Sequence, residues 1–282
     1  MLLGRLMQRL MPMRHCRQPW IFACSNIHAQ AQCQNTDSGF KLQYINNIAL
    51  LHMDKNVMDG NFVKNMNVLL DSVESNKSCL ALATIGNSKF YSNGLDLKYM
   101  ETLSPEDLVT FIHDAKRLLH RILLFPMPTL AILNGSTYAF GAFLAFAHDI
   151  RTMSTDKTVL SFTAVHEKRR VSGFIRDYLK IKLGGGKNVA DALILARHYK
   201  AKDAHKSLLV HAIHPEASLL DYSLQVLESF LVPGPFPREG ILGMKSDIYK
   251  QPIDSFVEDL NMKRPFFVVQ YMTPTQLANY KA

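Results

Sequence analysis

Two apolar segments, each followed by a glycine turn and a helical pattern, most constrain the fold of this chain. The first, CLALATI at 79–85, leads through KFY into Ser92-Asn93-Gly94, and the second, TLAIL at 129–133, leads into Asn134-Gly135. Continuous apolar runs of this length are typical of strands that are buried on both faces. Strands that alternate with helices predict an α/β fold in which these two strands are parallel.

The first glycine turn, KFYSNGLDLKYM at 89–100, allows two interpretations. Glycine at 94 permits a positive φ or a close approach of the backbone to another group. The turn is therefore either an ordinary strand-to-helix connection or a device that directs backbone N–H groups at a ligand. The turn alone does not distinguish these two interpretations, so other segments of the sequence are needed.

Hydrophobic periodicity and capping signals predict the remaining elements. Two short strands with a turn at Asn46-Asn47 are expected within 40–53, and a short strand at 208–213. Helices are predicted at 59–75, at 104–124 with Ser104 as N-cap, before His148-Asp149, at 188–196, from 201 and at 219–231. VPGPFP at 232–237 is interpreted as a linker, which divides a core at 40–231 from a helical C-terminal region at 238–282.

The first 36 residues form a basic leader that contains no Asp or Glu. Arg5 and Arg9 stand among leucines and methionines at near-helical spacing, and Arg14 and Arg17 follow. This composition is typical of an organelle-targeting segment, and a disordered basic tail is the alternative. We therefore expect the mitochondrial matrix as the location, with the peroxisome as the alternative.

Composition narrows the classes of function. The formal net charge of +8 suits nucleic acid, a membrane surface or an anionic small ligand. The middle of the chain has no basic stripe interleaved with aromatic residues, which argues against nucleic acid. No apolar run approaches the ~18 residues of a membrane-spanning helix. Cys79 is the one cysteine beyond the leader, so no disulfide framework is expected in the body.

Two short motifs resemble sites for a metal or a phosphate but lack required residues. HEKRR at 166–170 has arginine where a zinc-protease helix needs its second histidine. GGGK at 184–187 lacks the earlier glycine of a phosphate loop, and no Ser or Thr follows its lysine. We therefore expect no metal and no separate cofactor.

Two stretches, KFYSNGLDL and AILNGSTYAFGAFLAFAHDI, resemble the two signature segments of the enoyl-CoA hydratase/isomerase (crotonase) superfamily. Asn93 replaces the usual alanine, and Ala139-Phe140-Gly141 stands where many members have three glycines. The ending LAFAHD is most similar to the Δ3,Δ2-enoyl-CoA isomerase branch. The resemblance covers about 42–230 and implies a crotonase-like spiral of ββα units with a helical C-terminal part, assembled as a homotrimer.

The resemblance also implies a site for a fatty acyl-CoA, whose coenzyme A is part of the substrate. The backbone N–H groups of Leu95 and Phe140 would bind the thioester oxygen as an oxyanion hole. The acyl tail would lie near Tyr99, Met100 and Phe143. Further substrate contacts are expected from Ser92, Asn93, Gly94, Asp96 and Gly141, and Asp96 is also expected to anchor the turn or cap the following helix.

The catalytic carboxylates that the resemblance implies are missing from their expected positions. The first glutamate of the hydratases falls at Phe143, so hydration is not expected, and the single carboxylate of the isomerases falls at Ala164. Glu167, three residues on, is the nearest acid and is either the catalytic base or a solvated partner of the basic run at 168–170. The expected function is isomerisation of 3-enoyl-CoA to trans-2-enoyl-CoA in fatty-acid β-oxidation, through a dienolate. The alternative is an acyl-CoA-binding protein without catalysis.

Overall fold

The computed structural model describes residues 33–36, 39–231, 237–262 and 265–281. The strands are β1 (Cys33–Thr36), β2 (Phe40–Ile45), β3 (Ile48–Met53), β4 (Ala81–Ile85), β5 (Phe90–Ser92), β6 (Thr129–Leu133), β7 (Ser136–Tyr138), β8 (Ile150–Ser154), β9 (Val159–Ser161), β10 (Tyr199–Lys200) and β11 (Ala212–His214). The helices are α1 (Gly60–Ser75), α2 (Leu97–Glu101), α3 (Pro105–Leu123), α4 (Phe140–Ala147), α5 (Gly173–Leu183), α6 (Gly186–Val189), α7 (Ala201–Lys206), α8 (Glu216–Glu228), α9 (Arg238–Ile248), α10 (Lys250–Asn261), α11 (Phe266–Val269) and α12 (Pro274–Lys281).

The strands form two sheets. The larger sheet has the order β1-β2-β3-β4-β6-β8-β11, and the smaller has the order β10-β9-β7-β5. From β3 to β11 all neighbours in the larger sheet are parallel, and β4 pairs with β6 from Leu82 opposite Thr129. Every residue of β4 and β6 is buried, as expected of a sheet covered on both faces. The predicted parallel pair is confirmed.

The chain repeats one unit three times. In each unit a strand of the larger sheet is followed by a strand of the smaller sheet and then by a helix: β4-β5-α2, β6-β7-α4 and β8-β9-α5. The strands β5, β7 and β9 are parallel to one another. This is the predicted spiral of ββα units.

The capping residues of the first long helices follow their sequence signals. Asp59 accepts a hydrogen bond from the N–H of Phe62 at the start of α1, and Ser104 accepts one from Asp107 at the start of α3, with Pro105 at the first helical position. α4 differs because all of its residues are apolar and buried. A helix that is apolar on every side belongs in the interior, and α4 packs against α3 and α5.

Several predicted boundaries are wrong by a few residues. The segment expected as a helix at 188–196 is α6 followed by a π-helical turn at Ala190–Ile194. The strand expected at 208–213 begins only at Ala212, and the helix expected at 219–231 is α8. The apolar residues that suggested the earlier strand start, Leu209 and Val210, are buried outside any strand.

The end of the predicted leader also needs correction. Residues 33–36, assigned to it from their lack of acids, form β1, which pairs antiparallel with β2 from Cys33 opposite Gln43. An open sheet edge presents unpaired main-chain N–H and C=O groups to which another strand can pair, so the lack of acids in 33–36 gave no signal for it. The rest of the leader, to residue 32, and the linker positions 232–236 lie outside the described residues.

The predicted C-terminal helices are present and contact the core through two buried or half-buried cations. Arg238 donates hydrogen bonds to the carbonyl oxygens of Glu74, Asn76 and Cys79. Lys245 donates one to the carboxylate of Asp149 at 2.6 Å. Among the described helices, none combines the length and apolar character needed to cross a membrane.

A buried hydrogen-bond chain holds the C-terminal end of α4. The Nδ1–H of His148 donates to the carbonyl of Leu144 at 3.0 Å, and its Nε2 lies 3.1 Å from the hydroxyl of Thr84. The hydroxyl of Tyr91 lies 2.8 Å from the same threonine oxygen. His148 is fully buried, and burial lowers the pKa of its imidazole to about 3. The neutral ring, with one donor and one acceptor nitrogen, fits both partners.

We predict that acid destabilises the fold in part through His148. Its pKa is lowered from 6.5 in the unfolded chain to about 3 in the folded one. This contribution to the free energy of unfolding is therefore complete above pH 6.5 and is lost as the pH falls from 6.5 towards 3. A shift of this size corresponds to on the order of 5 kcal/mol at most. Urea unfolding at pH 7.5 and 5.0 measures the loss.

The matched variants for this measurement are His148→Gln and His205→Gln. The first should reduce the stability at pH 7.5 and make its dependence on pH less steep, because the imidazole of residue 148 no longer has to stay neutral. Burial also lowers the pKa of His113 and His211 to about 4, so part of the dependence should remain. The second changes an exposed histidine and should keep the wild-type dependence. An unchanged pH dependence in His148→Gln would contradict the assignment.

Candidate active site

The Gly94 turn after β5 meets the turn at Ala139-Phe140-Gly141 after β7. Gly94 has φ +90°, and a Cβ at this position would lie 2.8 Å from the backbone nitrogen of Phe140. A Cβ at Gly141 would lie 2.4 Å from the carbonyl oxygen of Ser92. Real Cβ atoms do not approach backbone this closely, so only glycine allows the two turns to touch.

Two backbone N–H groups at this contact have no hydrogen-bond partner among the described residues: those of Leu95 and Phe140. Met58 donates to the carbonyl of Gly94 at 2.8 Å and accepts from Asp96 at 2.9 Å, which leaves the N–H of Leu95 between these bonds without an acceptor. Phe140 is the first residue of α4, and the first N–H groups of a helix lack an intrahelical acceptor. Both N–H groups are thus unpaired in the described structure, and their role in binding a ligand stays a prediction.

The other expected binding residues of this turn either hold the turn in shape or are available to a ligand. The Ser92 hydroxyl is buried and accepts from the N–H of Gly94 at 3.1 Å, and Asp96 accepts from the N–H of Tyr99 at 3.1 Å as the N-cap of α2. Both side chains therefore hold the turn in shape. Asn93 lines the adjoining cleft, and its Oδ1 is buried without a partner in the described chain, so it is available to a ligand.

Leu95 and Phe140 line two cavities. One is an open cleft of about 350 Å³, which is lined also by Asn93, His166 and Glu167. The other is a smaller cavity of about 20 Å³. We call these the outer cleft and the inner cavity. The two residues that carry the unpaired N–H groups thus border both spaces.

The inner cavity contains both positions at which the resemblance places a carboxylate. Phe143 and Ala164 line it, and none of the lining residues is Asp or Glu. Tyr271, contributed by the C-terminal helical region, lines both the inner cavity and the outer cleft. Phe143, Ala164 and Tyr271 thus give the inner cavity apolar and aromatic walls at the positions where a carboxylate was expected.

Glu167 lies in the outer cleft rather than in the inner cavity. Its side chain is 53% exposed and its carboxylate is 3.8 Å from the guanidinium of Arg169. The Arg169 guanidinium in turn stacks over the ring of Tyr271, at 4.4 Å from the centroid. Glu167 thus shares a cleft with the N–H pair, and its role as a base stays a prediction.

The expected acyl-tail residues Tyr99 and Met100 need correction. Neither lines the inner cavity or the outer cleft. The Tyr99 ring packs edge-on against Phe111 at 5.2 Å, and Met100 is buried while its carbonyl accepts from Gln276 of α12. The Asp96 cap directs α2 towards α3 and α12. The spacing of residues in the sequence does not predict this direction of the helix. Phe143 is the expected tail residue that does line the inner cavity.

Sequence reasoning missed the polar residues of the inner cavity. Lys116 of α3, Arg170 and Ser172 line it, together with Phe267 and Gln270. A signal for Lys116 was present, because it interrupts the apolar face of α3 formed by Ile112, Ala115 and Leu119. The others come from segments whose placement depends on the C-terminal helices. No cluster of three or more His, Cys, Asp or Glu that could hold a metal occurs within the described ranges.

Ala139, just before α4, has an unusual backbone conformation. Its φ is 49° and its ψ is −123°, a region that residues with a Cβ rarely adopt. Such a conformation costs on the order of 1–3 kcal/mol and is kept only where the surroundings enforce it. Here the contacts of Gly141 and Phe140 with the Gly94 turn fix the direction in which α4 begins.

Comparison with known proteins gives a family and a fold. The model of a family described as Enoyl-CoA hydratase/isomerase matches residues 43–236. A putative enoyl-CoA hydratase from Thermus thermophilus is 30% identical over 165 residues, which are 56% of this chain and 63% of that protein. The peroxisomal enoyl-CoA delta isomerase 2 of Arabidopsis thaliana is 29% identical over 128 residues, 44% of this chain and 53% of its own. The matched part thus spans between half and two thirds of these relatives.

Solved structures support the fold over a larger share of the chain. An enoyl-CoA hydratase from Mycobacterium ulcerans has a TM-score of 0.71 at 18% identity and covers 79% of this chain and 96% of its own. An enoyl-CoA isomerase from Mycobacterium tuberculosis has a TM-score of 0.68 at 18% identity, with 82% and 96% covered. At this identity the likeness shows that the fold is shared.

We predict that Ala139→Gly stabilises the folded protein by about 1 kcal/mol. Glycine removes the strain of the positive φ, and its larger freedom in the unfolded chain offsets part of the gain. Thermal unfolding measures the change as an increase in Tm. As a control, Ala142→Gly changes an alanine inside α4 and should destabilise the protein, because glycine is unfavourable within a helix. A lowered Tm for Ala139→Gly would show that the conformation is not strained.

Proposed function

This chain belongs to the enoyl-CoA hydratase/isomerase family, and we propose that it shifts the double bond of an unsaturated acyl-CoA from position 3 to trans-2 as a step of fatty-acid β-oxidation. One observation carries the proposal. The two residues with unpaired N–H groups, Leu95 and Phe140, line both the outer cleft and the inner cavity. The thioester carbonyl binds there, with coenzyme A in the outer cleft and the acyl group directed into the inner cavity.

The N–H pair supplies the electrostatic part of the reaction. Removal of a C2 proton moves negative charge to the thioester oxygen, and two fixed donors stabilise this dienolate more than the starting ester. Donors of this kind are worth on the order of 3 kcal/mol each in other enzymes. Phe140 opens α4, so the positive end of the helix dipole adds to the effect. The contacts of Gly94 and Gly141 keep the donors in place before the substrate arrives.

Glu167 serves as the base that takes the C2 proton and returns it at C4. A single carboxylate is enough for isomerisation because the proton only moves within the substrate. Glu167 lines the same cleft as Leu95 and Phe140, which supports the assignment. Hydration is disfavoured, because it needs a carboxylate to position water and Phe143 stands at the place of the first hydratase glutamate.

The remaining parts of the proposal concern the setting of the reaction. The positive net charge suits an anionic coenzyme A, and Arg169 brings a cation to the outer cleft. We infer a homotrimer, by analogy with the family, and no separate cofactor. We place the protein in the mitochondrial matrix from its basic leader, and relatives named as peroxisomal support the peroxisome as the alternative.

A second candidate is acyl-CoA binding without isomerisation. The observation that favours it is the inner cavity itself, where Phe143 and Ala164 replace carboxylates and no lining residue is acidic. The two candidates share the thioester site and differ only in turnover. Binding together with an absence of 3-enoyl to 2-enoyl conversion would select the second.

We predict that Glu167→Gln removes isomerisation and leaves acyl-CoA binding within about a factor of three of wild type. The amide cannot accept the proton, whereas the oxyanion donors are backbone groups that the substitution does not touch. Conversion of 3-enoyl-CoA, followed by absorbance, measures turnover, and calorimetry with the saturated acyl-CoA of equal length measures affinity. Glu101→Gln, at an exposed position at the end of α2, is the control and should match wild type. Full turnover in Glu167→Gln would exclude this residue as the base.

We predict that Gly94→Ala abolishes acyl-CoA binding, because its Cβ would push the Phe140 N–H out of position. Gly184→Ala is the matched control, since Gly184 also has a positive φ, of 71°, but no atom lies within 4 Å of its Cβ position. Both variants should lose about 1–2 kcal/mol of stability from the left-handed conformation. Gly94→Ala should lose more than Gly184→Ala because its Cβ also meets the backbone of Phe140, so calorimetry is done at a temperature where thermal unfolding shows that both variants are folded. Only the first should lose binding in calorimetry. Equal binding by both variants would remove the N–H pair from the site.

A further inference from the structure

The inner cavity contains a buried cation that the proposed reaction does not use. Lys116 is 1% exposed, and its ammonium lies 3.7 Å from the centroid of the Phe267 ring. Asp259 Oδ2 is 3.4 Å away, but the Nζ makes no hydrogen bond to any described residue. An ammonium group has three N–H donors, so Lys116 retains hydrogen-bonding capacity in a place where unused donors are costly.

A second polar group of the same cavity is also unused. Ser172 is 2% exposed and precedes α5, yet its hydroxyl makes no capping bond and has no partner within the described part of the chain. Ser172 and Lys116 both line the inner cavity. Two buried polar side chains from different elements thus share one small space and both lack a hydrogen-bond acceptor.

The charged side chains that line this space are both cations, and Asp259 neutralises part of their charge from outside the lining. Arg170 lines the inner cavity in addition to Lys116, and no acidic residue does. Asp259 lies behind Lys116 and also accepts from the N–H groups of Gly173 and Phe174. Burial lowers the pKa of Lys116 to about 8, and Asp259 opposes the shift, so the lysine is mainly a cation at pH 7. A long apolar chain would leave these donors without acceptors.

The size of the inner cavity limits what can enter it. Its volume of about 20 Å³ is enough for about one water molecule. Only the last atoms of an acyl group fit into this space, and Lys116 and Ser172 are among the side chains that line it. The group that satisfies an ammonium and a hydroxyl together is an oxygen acceptor, and a carboxylate forms the stronger, charge-assisted bonds.

We propose that the inner cavity selects a short acyl group with a terminal carboxylate, so that the substrate is the CoA thioester of an unsaturated dicarboxylic acid. Lys116 and Ser172 bind the terminal carboxylate, while the thioester oxygen remains at Leu95 and Phe140. This inference rests on the proposed function, because it assumes that the thioester binds between the two cavities. It narrows the substrate from fatty acyl groups in general to short anionic ones.

The test compares two CoA thioesters of equal carbon number by calorimetry at pH 7. Glutaryl-CoA ends in a carboxylate, and pentanoyl-CoA ends in a methyl group. The wild-type protein should bind glutaryl-CoA at least tenfold more tightly. Lys116→Met, which keeps the length of the side chain without the charge, should remove or reverse this preference. Lys64→Met changes an exposed lysine of α1 and should keep it.

A second variant tests the proposal in case Lys116→Met does not fold. Lys116→Met leaves the buried carboxylate of Asp259 with one cation fewer, which can destabilise the protein. Ser172→Ala removes a hydroxyl that makes no bond in the protein, so it should fold like wild type and reduce the glutaryl preference several-fold. Rescue of the preference by Ser172→Thr, which restores a hydroxyl, separates ligand binding from a packing effect.

The outcomes distinguish this inference from the proposed function. Pentanoyl-CoA that binds as tightly as glutaryl-CoA overturns the carboxylate site, shows that the polar pair holds only water, and leaves the thioester site standing. Binding of neither thioester overturns both proposals. A glutaryl preference that survives in both Lys116→Met and Ser172→Ala also overturns the assignment of these two residues.

Discussion

The contact between two backbone turns is the constraint on which the rest of this structure depends. Gly94 lies against Phe140 and Gly141 lies against Ser92, in both cases closer than any side chain would permit. The contact requires β5 and β7 to run side by side and α4 to begin where β7 ends. It also explains why Ala139 is held in a conformation that alanine disfavours. Backbone geometry, rather than any side chain, thus determines where the two free N–H groups lie.

Polar groups at the other end of α4 fix the helix that carries one of these donors. Because α4 is apolar on all sides, apolar packing alone would let it slide or rotate with little change in buried area. Its C-terminal end is held by directional bonds instead: Arg151 and Lys182 both donate to the carbonyl of His148, and Asp149 accepts from Thr129 and Lys245. Such buried bonds are costly to break, so they prevent α4 from sliding or rotating in the core.

The same bonds connect the site to the C-terminal helices. Lys245 belongs to α9, and its ammonium also reaches the carbonyls of Phe125 and Met127. α10 packs along α5 and supplies Asp259, and Phe267 of α11 faces Lys116. Removal of the C-terminal region would therefore open the inner cavity as well as uncover the core. The region is part of the site and not an appendage to it.

The sequence predicted what depends on local pattern and failed where distant segments meet. The buried strands, the Ser104 cap of α3 and the need for glycine at 94 were predicted, because apolar runs, Ser-Pro and Asn-Gly are local signals. Tyr99 and Met100 were placed wrongly, because the direction of α2 depends on α12, which is far away in the chain. Lys116 was overlooked, because a lysine on an apolar helix face can be recognised as part of a site only when its partners are known. These partners, Asp259 and Phe267, come from distant segments of the chain.

The charge of the inner cavity links its two unusual features. A carboxylate at position 143 or 164 would repel an anionic acyl end inside a space of low dielectric constant, where like charges interact strongly. Phe143 and Ala164 remove this repulsion, while Lys116 and Arg170 supply attraction. A base that serves an anionic substrate must then stand outside the cavity, on the side of the thioester. Under the two proposals, Glu167 in the outer cleft would meet this condition, and its neighbour Arg169 would limit the repulsion between the proposed base and the distant carboxylate. The absent carboxylates and the buried cation are thus two consequences of one arrangement of charge.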